Sequence, residues 1–180
     1  MHKILVVVDM QKDFTTGVLG NEECKAAISK VVDVINQGDY DEFILTRDTH
    51  DSDYLNTQEG KKLPVEHCIK GTDGWEIVSE IGAALETKSK PVQFIDKPVF
   101  GSMKLGELLS DIYGKYKEEG LTLDFVGVCT GICVISNVLI AKASCPEAVV
   151  RVIKDACACV TPKSHETALE AMKTCQVDVI

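Results

Sequence analysis

Short apolar runs alternate along the chain with segments in which apolar residues recur at helical spacing. Residues 4–8 are apolar at every position, which is typical of a parallel strand covered by helices on both faces. On the same grounds, strands are predicted at 43–46, 91–95, 123–128, 148–153 and 177–180, and helices at 24–37, 75–85, 103–119, 133–143 and 161–173. This alternation predicts a three-layer α/β/α sandwich around a mostly parallel six-stranded sheet with right-handed crossovers.

Two connections follow neither pattern. Residues 11–23 are rich in turn-forming residues and are predicted to be a loop. Residues 51–74 are polar and far longer than an ordinary connection, and loops of that length are commonly functional or disordered. A functional loop is favoured here, because this segment contains Glu59 and His67.

Composition limits the classes of function. At 180 residues the chain is expected to form one domain, residues 1–180. Its 19 lysines and arginines against 28 acids give a net charge of −9, which argues against nucleic acid or an anionic membrane as a partner. The first residues lead straight into a strand, and no apolar run approaches membrane-spanning length. A cytoplasmic protein is therefore expected.

The eight cysteines lack the paired spacing of a zinc ribbon, so neither structural zinc nor a disulfide framework is predicted, and the thiols are expected to be reduced. Cys133 differs from the others by its position, since an apolar run breaks at Thr130-Gly131 and a helix pattern follows. A helix N-terminus carries about half a positive charge and free N–H groups, which favour a thiolate and can hold an oxyanion. Cys133 is a candidate nucleophile; the alternative is a small buried hydrophobe.

Four reactive side chains lie at or just beyond the carboxyl ends of predicted strands: Asp9, Asp48, Lys97 and Cys133. Each alone has an ordinary explanation, as a turn former, a loop acid, a solvated cation or a core residue. Ligands of open α/β sheets bind outside these strand ends. Placed together, these groups suit catalysis: a carboxylate can take the thiol proton, while a nearby ammonium group stabilises both the carboxylate and the thiolate.

Three segments resemble the signature motifs of the isochorismatase-like cysteine hydrolases, which include the nicotinamidases. They are Ile4-Leu-Val-Val-Val-Asp9-Met-Gln-Lys-Asp13-Phe14, Asp96-Lys97-Pro98, and Gly127-Val-Cys129-Thr-Gly-Ile-Cys133-Val134. The resemblance spans essentially the whole chain and implies the Rossmann-like topology of that family. It also implies a catalytic triad of Asp9, Lys97 and Cys133, an oxyanion hole from the backbone N–H groups of Cys129 and Cys133, and a cis peptide bond between Val128 and Cys129.

The resemblance to nicotinamidases further implies a divalent metal site. Asp48-x-His50 resembles its start, residues 64–72 with His67 resemble its end, and Glu59 matches an acid that some nicotinamidases use between them. Carboxylate and imidazole ligands suit zinc, with manganese and iron as alternatives. The competing interpretation is that His50 and His67 are ordinary loop histidines.

Two departures from the nicotinamidase pattern concern the substrate. Gly131 replaces the usual acid two positions before the nucleophile, and Leu63-Pro64 lacks the tryptophan that precedes the metal histidine. Phe14 and Phe100 are candidates to supply stacking surface instead. The cysteines other than Cys129 and Cys133 are interpreted as structural.

The leading prediction is hydrolysis of a small carboxamide, most simply nicotinamide to nicotinate and ammonia, as in NAD salvage, without an organic cofactor. One alternative is a metal-independent isochorismatase-like or carbamoyl- or ureido-amidase-like hydrolase. A second is a non-catalytic member that binds a ligand or partner, although an intact triad argues against it. The sequence leaves a homo-oligomer open.

Overall fold

The computed structural model describes all residues from 1 to 180. Its six strands are β1 (His2–Val8), β2 (Glu42–Asp48), β3 (Val92–Lys97), β4 (Leu121–Val128), β5 (Val149–Ala158) and β6 (Asp178–Val179). Its seven α-helices are α1 (Lys12–Thr15), α2 (Glu22–Gln37), α3 (Gln58–Lys62), α4 (Ser79–Glu86), α5 (Met103–Tyr116), α6 (Ile135–Ser144) and α7 (Pro162–Thr174). None of the helices combines the length and apolar character that a membrane span requires.

The strands form one sheet in the order β3-β2-β1-β4-β5-β6, and every neighbouring pair is parallel. The predicted α/β sandwich is confirmed, with a sheet that is entirely rather than mostly parallel. This order reverses its direction between β1 and β4. Ligand sites of such sheets lie at that switch point, beyond the carboxyl ends of the two central strands.

The core lies in two layers, one on each face of the sheet. Successive residues of β1 point to opposite faces: Leu5 and Val7 pack with α2 and α4, whereas Ile4, Val6 and Val8 pack with α5, α6 and α7. Burying an aliphatic side chain of this size contributes about 1.5–3 kcal/mol. A strand that is apolar at every position therefore stabilises both layers and leaves its carboxyl end as the place where polar residues begin.

β1 and β4 approach each other closely at Gly127. Its φ of +117° is favourable only for glycine, and a Cβ there would lie 2.1 Å from the Val8 carbonyl oxygen. The pairing of β4 with β5 also shifts register between Phe125 and Gly127. These features bring the end of β4, and the turn that follows it, directly beside the end of β1.

Several boundaries differ from the sequence predictions. The 11–23 connection contains α1, and the 51–74 connection contains α3 and the 3₁₀ turns Tyr54–Asn56 and Asp73–Trp75. Such short helices are set by local caps, such as the Thr57 hydroxyl that accepts from Gly60 N at 3.0 Å, and are too short to show periodicity. The helix predicted from residue 75 begins at Ser79, and β5 continues five residues beyond its predicted end at 153.

Candidate functional site

Asp9, Lys97 and Cys133 meet at the switch point of the sheet, as their strand-end positions predicted. Lys97 Nζ lies 2.6 Å from Asp9 Oδ2 and 3.6 Å from Cys133 Sγ. The three residues expose 0%, 1% and 5% of their surface respectively. A buried lysine requires compensating negative charge, and Asp9 supplies it here.

The two oxygens of the Asp9 carboxylate have different surroundings. Oδ1 accepts a hydrogen bond of 2.6 Å from the Thr46 hydroxyl, which fixes the carboxylate plane. Oδ2 faces Lys97 and Cys133 and accepts no hydrogen bond of good geometry. Oδ2 is therefore the oxygen available to exchange a proton with the thiol.

Burial dominates the protonation of this group. It raises the pKa of Asp9, although the positive charge of Lys97 opposes the shift. Burial, together with the negative charge of Asp9, also raises the pKa of Cys133 well above its usual value. Burial acts to lower the pKa of Lys97, but the negative charges of Asp9 and Cys133 outweigh that effect and raise it, so Lys97 keeps its ammonium form. Burial thus acts against the thiolate that the helix start is expected to favour, and it strengthens Asp9 as a base.

The turn that carries Cys133 is a single π-helical turn, Thr130–Val134, which runs into α6. The peptide bond between Val128 and Cys129 is cis, as the resemblance implied. The backbone N–H of Cys129 donates no hydrogen bond within the protein, which leaves it free for a ligand oxygen. The geometry therefore suits the predicted oxyanion hole.

Asn137 holds the turn that carries Cys133 against the loop that follows β3. Its Nδ2 donates to Cys133 O at 2.8 Å and to Phe100 O at 3.0 Å, and its Oδ1 accepts from Ser102 N at 3.0 Å. Asn137 is fully buried and was not identified from the sequence. Its position four residues after Cys133, on the same helix face, was the available signal.

The four predicted metal ligands also converge. Asp48, at the end of β2, lies beside His50, Glu59 and His67, and one ligand atom from each lies within 4.8 Å of the others. We call these residues the metal group. Asp48 Oδ2 lies 2.8 Å from His50 Nε2 and 3.6 Å from His67 Nε2, and Glu59 Oε1 lies 3.9 Å from each histidine.

The donor set of the metal group fits a divalent cation. His67 Nδ1 donates to Val65 O at 2.8 Å, which leaves its Nε2 lone pair directed at the other three ligands. Burial acts to raise the pKa of Asp48, but its close contacts with His50 and His67 and the positive charge of Lys97 outweigh burial and hold that pKa well below its usual range. Burial and the Asp48 charge raise the pKa of Glu59. Two carboxylates and two imidazoles crowded in this way suit zinc, manganese or iron.

Lys97 connects the two groups. Its Nζ lies 3.2 Å from Asp48 Oδ1, on the opposite side of that carboxylate from the histidines. The backbone of Asp48 is held by Gln11, whose side-chain Oε1 accepts from Asp48 N at 2.7 Å and whose Nε2 donates to Asp48 O at 2.8 Å. The buried Gln11 was also missed from the sequence, although it lies two residues beyond Asp9.

A cavity of about 340 Å³ opens over both groups. Cys133 and Cys129 form part of its wall, Asp48, Glu59 and His67 another part, and most of the remaining lining is apolar. Phe14 and Phe100, the two candidates for stacking, both line it; the Phe14 ring lies 5.4 Å from that of His67, and Phe100 is 45% exposed at the rim. Seven of the ten site residues named from the sequence line this cavity, and the other three, Asp9, Lys97 and His50, are buried behind them; the roles of all ten stay predictions.

The model of the isochorismatase domain matches residues 3–180 of the chain. Among solved structures, the nicotinamidase/pyrazinamidase of Bacillus subtilis is 26% identical, with a TM-score of 0.76 and coverage of 99% of both chains. The pyrazinamidase of Pyrococcus horikoshii in complex with zinc is 25% identical, with a TM-score of 0.75 and coverage of 100% of this chain and 99% of that one. The yeast nicotinamidase bound to the inhibitor nicotinaldehyde is 20% identical, covers 99% of both chains with a TM-score of 0.80, and supports the fold. A search of curated protein sequences found no match.

Proposed function

The chain belongs to the isochorismatase family, and from this premise we propose that it is a metal-dependent cysteine amidase that hydrolyses a small carboxamide, with nicotinamide as the first substrate to test. The observation that carries the proposal is the position of Lys97. It contacts Asp9 and Cys133 on one side and Asp48 of the metal group on the other, beneath one cavity. A hydrolase without a metal has no need for this second set of ligands.

Asp9 and Cys133 divide the reaction into two steps. Asp9 Oδ2 takes the thiol proton as the sulfur attacks the amide carbon, and the N–H groups of Cys129 and Cys133 hold the resulting oxyanion. Asp9 then gives that proton to the leaving nitrogen, so that ammonia departs and a thioester remains. In the second step Asp9 takes a proton from water, the hydroxide attacks the thioester, and the acid is released as Cys133 regains its proton.

The raised pKa values of Asp9 and Cys133 suit this cycle. A carboxylate with a raised pKa is a stronger base, and proton transfer coupled to attack avoids storing a buried thiolate. Lys97 keeps its charge throughout and compensates for the negative charge that passes between Asp9 and Cys133. It therefore acts as a positioning and electrostatic residue, without bonding to the substrate.

The metal group would hold a divalent cation through Asp48, His50, Glu59 and His67. Such an ion supplies a Lewis acid that binds a ring nitrogen of the substrate or a water molecule. The zinc complex of the Pyrococcus horikoshii pyrazinamidase, whose chain is 25% identical, supports zinc as the first ion to test. The cavity volume of about 340 Å³ and its apolar walls suit a single small ring.

The deciding experiment is ammonia release from a panel of aromatic and aliphatic carboxamides by the purified protein, together with measurement of its metal content. We expect nicotinamide or pyrazinamide to be hydrolysed, a chelator to abolish the reaction, and added zinc, manganese or iron to restore it. Nicotinaldehyde, which carries the same ring, should inhibit competitively. Full activity in protein shown to be metal-free would overturn the proposal.

A second candidate is a metal-independent hydrolase of an aliphatic or carbamoyl amide. The favouring observation is the aliphatic part of the cavity wall, where Leu19, Leu63, Ile132 and Val160 face the space above Cys133. Branched alkyl groups pack well against such a wall. Preference for aliphatic over pyridine amides, unchanged by chelation, would favour this candidate.

A further inference from the structure

Three thiols converge beside the candidate oxyanion hole. Cys24 lies in the first turn of α2, Cys129 follows β4, and Cys159 follows β5. Interactions with the thiols of Cys159 and Cys24 are the largest causes of the raised pKa of Cys129, and Cys24 Sγ lies 3.9 Å from Cys159 O. The interpretation of Cys24 and Cys159 as structural residues leaves this convergence unexplained.

Strand register places Cys129 and Cys159 side by side. Val128 of β4 pairs with Ala158 of β5, and the two cysteines are the residues that directly follow this last pair of the ladder. Neighbouring strands lie about 4.8 Å apart, and a disulfide needs Cα atoms roughly 4.4–6.8 Å apart. The pair can therefore close with small movements. Cys24 lies on a helix, where its backbone N–H donates to Asn21 Oδ1 at 2.8 Å. It is therefore not aligned with Cys129 by strand pairing.

Cys159 is the more reactive thiol of the pair. Contact with the Cys129 thiol, aided by the Ser164 hydroxyl and the Gly131 N–H, lowers the pKa of Cys159 to about 5. Cys159 lines two surface depressions, one beside Ala27 and the other beside Gly131, while Cys129 lines the substrate cavity. The depressions and the cavity give a small oxidant its routes to the two side chains, of which Cys159 is only 3% exposed, and the thiolate is the form that reacts.

We propose that Cys129 and Cys159 are a redox modification site, at which hydrogen peroxide forms a disulfide that reversibly stops hydrolysis. The Cys159 thiolate attacks one peroxide oxygen, which gives a sulfenic acid and, after protonation of the departing hydroxide, water. The Cys129 sulfur then attacks the Cys159 sulfur, and the hydroxide that leaves takes the Cys129 proton as a second water. The two thiols lose two electrons, peroxide gains them, and an added dithiol reverses the change.

The effect on hydrolysis rests on the proposed function; formation of the disulfide does not. A bonded sulfur pair is about 2.05 Å apart, well inside contact distance, so closure must draw the two side chains together and displace that of Cys129. Its own backbone N–H is the candidate oxyanion donor, and such donors act only within a few tenths of an ångström of the required position. Closure therefore disables the donor while leaving Asp9, Lys97 and Cys133 chemically intact.

The test treats the metal-loaded protein with hydrogen peroxide and maps its cysteines by mass spectrometry, with and without later dithiothreitol. We expect the mass of the protein to fall by two hydrogen atoms and a disulfide-linked peptide pair to join Cys129 to Cys159. Amidase activity should fall at least tenfold, and dithiothreitol should restore it. Cys159→Ser and Cys159→Ala should form no disulfide and keep their activity under the same treatment. Cys145→Ala, which removes a buried thiol between α5 and α6, should respond as the wild type does.

Mapping separates failure of this inference from failure of the proposed function. A Cys24–Cys129 disulfide, or oxidation of Cys133 with Cys129 and Cys159 still reduced, would overturn the assignment. Equal sensitivity of Cys159→Ser and the wild type would do the same. A protein that hydrolyses no amide but forms the Cys129–Cys159 disulfide would refute the proposed function and support the modification site.

Discussion

At the scale of single residues, Cys133 is the side chain on which the proposed chemistry depends. Cys133→Ala removes only the sulfur, so the fold should persist while kcat for amide hydrolysis falls by about 10³ or more. Steady-state kinetics and circular dichroism check both parts.

The matched control is Cys145→Ala, which removes a buried thiol whose Sγ lies 3.3 Å from Leu109 O and which does not line the cavity. It should lose about 1 kcal/mol of stability and little activity. If Cys133→Ala retained most of the wild-type rate, another nucleophile would have to be found.

Lys97 is predicted to act through charge, and Lys97→Met keeps most of its length while removing that charge. The positive charge of Lys97 lowers the pKa of Asp9, opposing the effect of burial. Without the Lys97 charge the pKa of Asp9 rises further. A larger fraction of Asp9 is then protonated at a given pH, and its carboxylate, the active form, appears only at higher pH. The acid limb of the pH profile of kcat/KM should therefore move to higher pH. At a fixed pH on that limb, kcat/KM should fall about tenfold for each unit by which the pKa of Asp9 rises.

The control for this variant is Lys90→Met, which removes an exposed lysine 3.8 Å from Asp41. Its pH profile should match that of the wild type. An acid limb that stayed in place in Lys97→Met would show that Lys97 does not tune Asp9.

At the scale of elements, α6 and the loop after β3 are coupled through Asn137. Asn137→Ala removes three hydrogen bonds, two of them fully buried, and leaves Cys133 O, Phe100 O and Ser102 N without those partners. The free energy of unfolding should fall by about 2–4 kcal/mol, and kcat should fall because the turn that carries Cys133 loses its support. Denaturant titration and kinetics test this; wild-type stability in Asn137→Ala would contradict it.

The long connection between β2 and β3 is anchored better than its polar sequence indicated. Tyr54 is fully buried and donates through its hydroxyl to Leu63 O at 2.9 Å, and His50 N donates to Cys68 O at 3.0 Å. Asp13, outside the connection, accepts from Cys68 N at 2.8 Å. Loss of a metal should therefore loosen α3 and its neighbours rather than unfold the whole connection.

Glu59→Ala tests that local coupling. It removes one carboxylate of the metal group, so metal affinity should fall at least tenfold and hydrogen exchange should rise around residues 58–68. Glu66→Ala, an exposed acid of the same connection, is the matched control and should change neither quantity. Equal metal retention by the two variants would exclude Glu59 as a ligand.

At the scale of the whole molecule, the sequence predicted the parallel sheet and the rim of reactive residues for one physical reason. Each apolar run ends at a polar residue, and the carboxyl ends of parallel strands meet at one edge. Contacts between segments that are distant in sequence were not predictable, because they depend on how those segments align in the fold. Examples are the hydrogen bond from Thr46 to Asp9, the hydrogen bond from Asn137 to Phe100 O, and the proximity of Cys129 and Cys159. The rise in the pKa of Cys133 was not predictable either, because the depth of burial that causes it is set only by packing.

The metal group should also couple to the stability of the whole chain. A cation that binds the folded state alone stabilises it by RT ln(1 + [M]/Kd), about 2.7 kcal/mol at 100 times Kd. For a chain of this length that raises Tm by roughly 5–10 °C. Calorimetry of chelated and zinc-loaded wild type should show this rise, and His67→Ala should lose it, because the Nε2 that faces Asp48 is gone. The exposed acid Glu66 is again the control, since Glu66→Ala should keep the full rise. If zinc raised the Tm of His67→Ala as much as that of the wild type, the ion would be bound elsewhere, and the triad would have to work without the metal group.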